Sequence, residues 1–232
     1  MADDSRVKTG IPGFDELIQG GFVKNSINLI SGGPGTGKSI FAMQFLYNGA
    51  TKFKEKGIYF SCEERVEELK ADAKNLGMDI EKLEKEGKIK FIYFSPYAIG
   101  DLLNKIEIEV DKLDAKRVVL DSTSVLGLSM KSLHDIRQSL YDLTKHLKIL
   151  NTTSVLTAEA DNSSSEDQRS SNISRFGVEE YVADSITVLH YLGLGGSDDR
   201  SIRIIKMRRT NHISGPQSMQ ITDQGITITK NG

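Results

Sequence analysis

A glycine-rich loop that follows a short apolar segment constrains this chain more than any other feature of its sequence. Residues 32–39, GGPGTGKS, satisfy the pattern G-x-x-x-x-G-K-[ST]. The apolar segment SINLI, predicted as a strand over residues 26–30, precedes the loop, and a helix is predicted over residues 38–54. Glycines let backbone N–H groups converge on an anion, and the helix N-terminus adds partial positive charge. The segment therefore predicts a phosphate-binding loop rather than an ordinary turn with a chance Lys-Ser pair.

Each position of this loop has an expected role toward a nucleoside triphosphate and Mg²⁺. Lys38 is expected to reach the β- and γ-phosphates, and the Ser39 hydroxyl is expected to bind the metal ion. Backbone amides of the loop are expected to supply further phosphate contacts. The residues predicted to contact ATP here are Gly33, Pro34, Gly35, Thr36, Gly37, Lys38, Ser39 and Ile40.

The order of apolar and amphipathic segments predicts an α/β fold. Short β-branched segments alternate with longer amphipathic ones, which is typical of a mostly parallel sheet flanked by helices. Strands are predicted after the loop at residues 57–61, 88–94, 117–121 and 153–158. The serine-rich residues 161–175 predict a polar loop. Beyond them, SITVLHYL, SIRIIKM and GITIT predict antiparallel strands added to one edge of the sheet.

Length and composition limit the class of protein. The 232 residues suit one large domain, expected to span residues 1–232. The net charge of −2 gives no overall basic character that would indicate nucleic acid or an anionic membrane. Cys62 is the one cysteine of the sequence, which excludes an intramolecular disulfide and is typical of a reducing compartment. Since no stretch approaches roughly 18 apolar residues, a cytoplasmic protein without membrane contact is expected.

Two acidic residues follow predicted central strands. Asp121 ends the segment RVVLD and is expected to bind Mg²⁺ through a water molecule, at the end of a buried strand that neighbours the phosphate loop. The alternative is that Asp121 caps a turn or helix, as Asp often does. Glu159 follows TSVLTA and is a candidate sensor of the γ-phosphate, although a solvated surface glutamate fits the sequence equally well.

A pair of glutamates is the candidate for activating water. Glu63 and Glu64 come just after the predicted strand GIYFS. Ser61 and Glu64 also have the spacing of a capping box for the helix that follows, which is the structural alternative. If GIYFS lies beside the strand before the phosphate loop, both carboxylates face the γ-phosphate and can orient or deprotonate water.

Several stretches together resemble the KaiC-like branch of the RecA superfamily of ATPases. They are TGIPGFDELIQGGF, SGGPGTGKS, FLYNG, the EE pair, RVVLDS, RFGVEEYVADSI and the final IKMRRTNHISG with ITDQGI. The resemblance spans essentially the whole chain. It implies a RecA-like P-loop core with a C-terminal antiparallel β extension. It also implies a homo-oligomeric ring, usually a hexamer, with Mg²⁺ and ATP bound between neighbouring subunits.

The resemblance also implies roles for the C-terminal residues. It makes Glu63 and Glu64 the catalytic carboxylates. It gives Lys206, Arg208 and His212 the role of reaching the γ-phosphate of the neighbouring subunit, and it puts Ile221 and Asp223 near the neighbour's adenine.

The residue pattern around the last basic cluster agrees in part with these roles. Lys206 and Arg208 alternate onto one face of a predicted strand, as two groups aimed at one anion should. A basic edge strand that only discourages aggregation is the alternative.

Three departures qualify the resemblance. Two-domain members of the family autophosphorylate adjacent Ser and Thr residues in their second domain. Glu180 and Tyr181 fill those positions here, so the sequence does not support autokinase activity and resembles the first, ATPase-type domain. Ser214 occupies the position at which that domain has a second lysine, after the histidine that corresponds to His212. Arg209 occupies the position, usually glycine, that follows the arginine finger, which is Arg208 here.

These observations favour an ATP-hydrolysing ring protein with a regulatory or mechanical role. One alternative is a RecA or RadA paralogue that binds single-stranded DNA through Arg169 and Arg175 of the polar loop and the cluster Arg203, Lys206, Arg208 and Arg209. Against it, the sequence starts at the ATPase core and is negatively charged overall. A second alternative is a nucleotide-gated interaction module with little turnover, for which the paired glutamates and Arg208 would be unnecessary.

Overall fold

A computed structural model describes residues 6–95, 101–128, 130, 132–160, 173–193 and 199–230. The strands are β1 (Arg6–Val7), β2 (Phe22–Val23), β3 (Ile27–Gly32), β4 (Gly57–Ser61), β5 (Ile89–Tyr93), β6 (Arg117–Asp121), β7 (Thr153–Glu159), β8 (Ser185–Tyr191), β9 (Arg200–Met207), β10 (Gln217–Thr222) and β11 (Gly225–Thr229). The α-helices are α1 (Phe14–Leu17), α2 (Lys38–Lys52), α3 (Val66–Asn75), α4 (Ile80–Lys85), α5 (Leu102–Leu113), α6 (Leu133–Ile149) and α7 (Glu179–Val182), and a 3-10 helix covers Thr123–Leu128. No helix among these residues is long and apolar enough to cross a bilayer.

The central sheet has the predicted α/β character. Within the described residues it contains nine strands in the order β11-β10-β9-β8-β3-β7-β6-β4-β5. The six strands from β8 to β5 are parallel, and β9 to β11 continue the sheet in antiparallel pairing. The remaining strands, β1 and β2, form a small antiparallel sheet of their own. The mostly parallel core with a C-terminal antiparallel extension is therefore confirmed.

Side chains alternate between the two faces of the sheet, and each face is covered by helices. Ile27 and Leu29 of β3 pack in the cluster that contains α5 and α6, whereas Ile30 packs in the cluster that contains α2 and α3. In β6, the adjacent residues Val118 and Val119 likewise pack on opposite faces of the sheet. Burial on both faces explains why these strands are apolar along most of their length.

The structure corrects the direction of one predicted strand. β8, the segment SITVLHYL, was expected to be antiparallel, but it pairs in parallel with β3, from Asn28 opposite Ser185 to Gly32 opposite Leu189. The antiparallel extension begins one strand later, because β8 and β9 form a hairpin. β10, in which four of the six residues are polar, was not predicted at all.

The structure also corrects the order of the strands. β4 was expected beside β3, but β7 and β6 lie between them. β6, which ends at Asp121, was likewise expected beside the phosphate-loop strand, and β7 separates the two. The carboxyl ends of all these parallel strands still meet at one edge of the sheet, so the residues that follow them can converge there.

A buried arginine joins three parts of this core. The side chain of Arg117, at the start of β6, is 1% exposed and pairs with Glu55 at 2.6 Å. Its Nη1 and Nη2 donate to the carbonyl oxygens of Phe45 and Lys8, respectively, each at 2.8 Å. Its guanidinium lies 4.5 Å from the centre of the Phe45 ring. A Cβ at Gly49 would lie 2.6 Å from the Arg117 side chain. Arg117 therefore connects the N-terminal residues, helix α2 and the central sheet.

Candidate nucleotide-binding site

The glycine-rich loop has the geometry expected of a phosphate cradle. β3 ends at Gly32 and α2 begins at Lys38. Gly35 and Gly37 have φ values of 71° and 98°, in the left-handed region that glycine adopts without a steric penalty. A Cβ at Gly37 would lie 2.9 Å from the side chain of Ile221. The Lys38 ammonium donates to the carbonyl of Gly33 at 2.9 Å, so the lysine folds back over the loop.

A cleft of about 650 Å³ joins this loop to the carboxyl ends of three other strands. Lys38 and Ser39 line it on one side, and Glu63, Glu64 and Asp121 line it on the other. The cleft thus brings together the cationic and acidic residues that the sequence predicted. Pro34, Gly35, Gly37, Ile40, Asp72, Ser122, Glu159, Arg200 and Ile221 complete the lining.

Asp121 is held by hydroxyl groups at the base of the cleft. The hydroxyls of Tyr59 and Thr157 donate to its two carboxylate oxygens. Tyr59 is fully buried at the base of the cleft, and Ser39 is close enough to affect the pKa of its hydroxyl. Burial, together with the charge of Asp121, holds the pKa of Tyr59 well above its usual value, which keeps its hydroxyl protonated as a donor. The carboxylate is thus positioned by side chains rather than used as a helix cap.

These donors suit a magnesium ion. Mg²⁺ prefers oxygen ligands, commonly one or two carboxylates with water and substrate phosphates. Ser39 and Asp121 offer a hydroxyl and a carboxylate in one cleft next to the phosphate loop. Tyr59 holds the Asp121 carboxylate, as hydrogen-bonded outer partners do in metal sites. The residues present therefore fit the ion.

The paired glutamates reach the cleft, but not by the predicted route. β4 pairs with β6, with Ser61 opposite Asp121, and this places Glu63 and Glu64 beside Asp121 although β4 is not next to β3. Glu63 accepts a hydrogen bond from the Ser122 hydroxyl. Burial raises the pKa of Glu64, and the neighbouring Asp121 adds to the effect.

The capping box does not form. The Ser61 hydroxyl donates to the carbonyl of Glu64 at 2.6 Å. α3 begins later, at Val66, and its N-cap residue Arg65 makes no side-chain cap hydrogen bond. The side chain of Glu64 is consequently not committed to the helix terminus in the way that the capping alternative required.

Burial and the neighbouring carboxylates shift the pKa of Lys38 in opposite directions. Burial lowers the pKa of its ammonium, whereas Asp121, Glu159 and Glu63 raise it. Glu159 ends β7 directly beside Gly32 of the loop strand, and its carboxylate pairs with Arg175 at 3.2 Å. Arg175, which the DNA-binding alternative assigned to nucleic acid, therefore has a partner in its own chain. Residues 161–172, including Arg169, lie outside the described residues.

Sequence reasoning missed an arginine and a tyrosine beside the loop. The hairpin register sets Arg200 of β9 opposite Tyr191 of β8. The Arg200 guanidinium stacks 3.9 Å from the centre of the Tyr191 ring and donates to the carbonyl of Gly35 at 3.3 Å. Arg200 adds a second cation to the cleft. The strand register, which the sequence pattern did not reveal, was needed to find it.

Lys206 and Arg208 lie far from the phosphate loop of their own chain. Lys206 donates to the carbonyls of Ala183 and Glu180 at 2.7 and 3.1 Å, and Arg208 pairs with Asp184 at 3.5 Å. These contacts lie at the amino end of the parallel strands, whereas the loop lies at the carboxyl end. The pairing of β8 with β3 runs from Ser185 at the amino end to Leu189 at the carboxyl end. These four residue steps correspond to about 13 Å of strand between the two ends.

The other predicted C-terminal residues divide between the two regions. Ile221 lines the cleft of its own chain, whereas the resemblance implied a position near the adenine of the neighbouring subunit. Asp223 lies in the turn between β10 and β11, with its carbonyl 3.5 Å from the position of a Cβ on Gly77. His212 is partly buried, and its Nδ1 lies 3.3 Å from the carbonyl of Ile213.

Comparison with known proteins identifies the family. A family model described as ATPase: KaiC matches residues 7–232. This chain belongs to the KaiC ATPase family. Family membership supports an ATP-binding role and, in general, ATP hydrolysis.

Individual members of the KaiC family show the extent of the likeness. The chain is 34% identical over 231 residues to the circadian clock oscillator protein KaiC of Parathermosynechococcus lividus, covering 95% of this chain and 42% of that protein. It is 32% identical over 234 residues to the KaiC of Synechococcus elongatus, covering 97% and 44%. The chain thus spans less than half the length of these relatives. The crystal structure of a KaiC-like protein from Pyrococcus horikoshii OT3 is similar with a TM-score of 0.86 and 37% identity, covering 97% of this chain and 99% of that one.

Proposed function

We propose that this chain binds Mg·ATP in the described cleft and hydrolyses it, acting as one ATPase domain over residues 1–232. The observation that carries the proposal is the meeting of Lys38 and Ser39 with Asp121 and the paired glutamates in one cleft. A module that only binds nucleotide has no need for two further carboxylates opposite its phosphate loop. This arrangement favours turnover over the nucleotide-gated alternative.

Each residue has a distinct task in the proposed reaction. Loop amides and Lys38 hold the triphosphate and neutralise its charge, and Arg200, which also lines the cleft, supports the loop through Gly35. When bound at Ser39 and Asp121, Mg²⁺ supplies electrostatic stabilisation of the phosphate oxygens. Glu63, oriented by Ser122, and Glu64 position the attacking water and accept its proton. Glu159 responds to the γ-phosphate through its ion pair with Arg175.

We further propose that a second copy of the chain completes the site, in a homo-oligomeric ring as the family resemblance implies. Lys206 and Arg208 lie at the opposite edge of the sheet from their own loop, which supports action on a neighbour's nucleotide. The Arg208 side chain is 56% exposed and available to a partner surface. In this arrangement Arg208, Lys206 and His212 of one subunit approach the triphosphate bound to the next.

Replacing the paired glutamates tests hydrolysis directly. The double variant Glu63→Gln with Glu64→Gln should lose about 10²- to 10⁴-fold in turnover, because it removes the proposed base, while it still binds ATP through the loop. Steady-state phosphate release and binding of a fluorescent ATP analogue measure the two properties. Glu67→Gln with Glu68→Gln, an exposed pair in the first turn of α3, is the matched control. Turnover of the double variant equal to that of the wild type would instead support a binding module.

Removing the tyrosine hydroxyl tests the proposed metal site. Tyr59→Phe should raise the Mg²⁺ concentration that half-saturates ATP turnover by roughly 10-fold or more, because Asp121 loses the hydroxyl that orients its carboxylate. The measurement is a Mg²⁺ titration at fixed ATP, with Tyr141→Phe on the exposed face of α6 as the control. An unchanged titration would show that Tyr59 is only a core residue.

A further inference from the structure

The basic turn that carries Arg208 is held by the first residues of the chain. The finger turn is defined here as residues 208–213, and the N-terminal segment as residues 6–23, which contains β1, α1 and β2. The Ile213 amide donates to the carbonyl of Leu17 at 3.0 Å, and the Asn211 amide donates to the Gln19 side chain at 3.1 Å. The finger turn is thus bound to the N-terminal segment along much of its length.

Within the N-terminal segment, Arg6 makes the contacts that lie nearest to Arg208 in sequence. One of its guanidinium nitrogens donates to the carbonyl of Arg209 at 2.8 Å, and the other donates to the hydroxyl of Thr210 at 2.7 Å. The second nitrogen also lies 3.4 Å from the carbonyl oxygen of Gly21, the residue just before β2. A planar guanidinium can bridge several acceptors at once, which a lysine ammonium does less rigidly. Arg6 therefore fixes the two residues that immediately follow Arg208.

The backbone of the finger turn needs such support. Arg209 has φ of 57°, in the left-handed region that side chains disfavour. Glycine adopts that region freely, whereas an arginine does not. The Arg6 contact to the Arg209 carbonyl helps to hold this conformation.

The same N-terminal segment is anchored on the helix of the phosphate loop. Asn48 and Lys52 of α2 donate to the carbonyls of Thr9 and Gly10, each at 3.1 Å. The rings of Phe14 and Phe41 pack edge to face with their centres 5.0 Å apart. The segment is therefore a packed link between α2, which begins at Lys38, and the finger turn at the far edge of the sheet.

We propose that Arg6 is a positioning residue for Arg208. It holds the finger turn so that the Arg208 guanidinium points outward toward the nucleotide of a neighbouring subunit. The proposal rests on the proposed function, in which Arg208 acts on a neighbour's site. In this proposal Arg6 acts only through its contacts to the finger turn.

A double-mutant comparison measures whether Arg6 acts through Arg208. Arg6→Ala should lower kcat by roughly 10²-fold, since misplacing a catalytic group by about 1 Å has effects of this size. Affinity for a fluorescent ATP analogue should stay at the wild-type level. The double variant Arg6→Ala with Arg208→Ala should be no slower than Arg208→Ala alone. Lys8→Ala, which removes an exposed cation from the same segment, is the control and should keep wild-type kcat.

Two outcomes of that comparison contradict the proposal. Wild-type kcat in Arg6→Ala would show that the turn holds its position unaided. Losses that multiply in the double variant would show that Arg6 acts independently of Arg208.

Mixed assemblies separate a finger defect from a general folding defect. Arg6→Ala subunits keep an intact loop, and Lys38→Ala subunits keep an intact finger turn. Mixing the two should raise turnover above the sum of the separate proteins, because native pairs of loop and finger then form. Arg208→Ala mixed with Lys38→Ala is the reference pair. Complementation in the reference pair but not with Arg6→Ala would overturn this inference alone, whereas no complementation in either would overturn the shared site on which it rests.

Discussion

Arg208→Ala is expected to lower ATP turnover by roughly 10³- to 10⁵-fold, the range for loss of an arginine that stabilises transition-state charge in phosphoryl transfer. Binding of ATP to the cleft should change little, because Arg208 lies at the other edge of its own sheet and pairs there with Asp184. A large loss of kcat with retained affinity is the pattern expected of a group that acts mainly in the transition state.

The measurement combines phosphate release with its dependence on protein concentration. Wild-type specific activity should rise with concentration as subunits associate, and Arg208→Ala should stay low throughout. Arg203→Ala, which removes an exposed cation from β9, the strand that leads to Arg208, should behave as the wild type. If Arg208→Ala kept both the turnover and the concentration dependence of the wild type, the shared site would be wrong.

The second large effect is expected in stability. Arg117→Ala should lower the free energy of unfolding by about 3–5 kcal/mol, because it breaks a buried ion pair and leaves the carbonyls of Phe45 and Lys8 without their donor. For a chain of this size such a loss corresponds to a fall in Tm of roughly 10 °C. Burial lowers the pKa of Arg117, because it disfavours the charged guanidinium, and the ion pair with Glu55 raises the pKa in opposition.

Thermal unfolding followed by circular dichroism checks this expectation. Lys116→Ala removes the neighbouring cation, whose ion pair with Asp114 is exposed, and its Tm should match the wild type. Arg117→Met keeps much of the side-chain volume and should lose less than Arg117→Ala. A Tm for Arg117→Ala as high as that of Lys116→Ala would mean that Arg117 contributes little to the fold.

The features that the sequence predicted well are those encoded in neighbouring residues. The phosphate loop needs only a strand, a glycine-rich turn and a helix in succession, and Gly32 to Lys38 contain all the information for it. The alternation of apolar and amphipathic segments likewise predicts parallel strands and helices, because each strand is buried on both faces. Lys38, Ser39, Asp121 and the two glutamates could therefore be assigned to one edge of the sheet.

The features that the sequence did not predict depend on how distant segments meet. Nothing within GIYFS says that β7 and β6 separate it from β3, and nothing within SITVLHYL says that it runs parallel to β3. Arg200 reaches the loop only through the register of the β8–β9 hairpin. Arg6 reaches the finger turn across more than 200 residues of chain, a contact that no local pattern contains.

The distance between the cleft and Arg208 has a consequence for how copies of the chain can associate. If Arg208 of one copy serves the cleft of another in the proposed ring, the two surfaces in contact are different, and a pair of copies leaves one unmatched surface at each end. Such a contact has a direction, and it either closes into a ring or continues as a filament, depending on the rotation between successive copies. An open chain of copies would hold one fewer complete site than it has subunits, and closure would add the last.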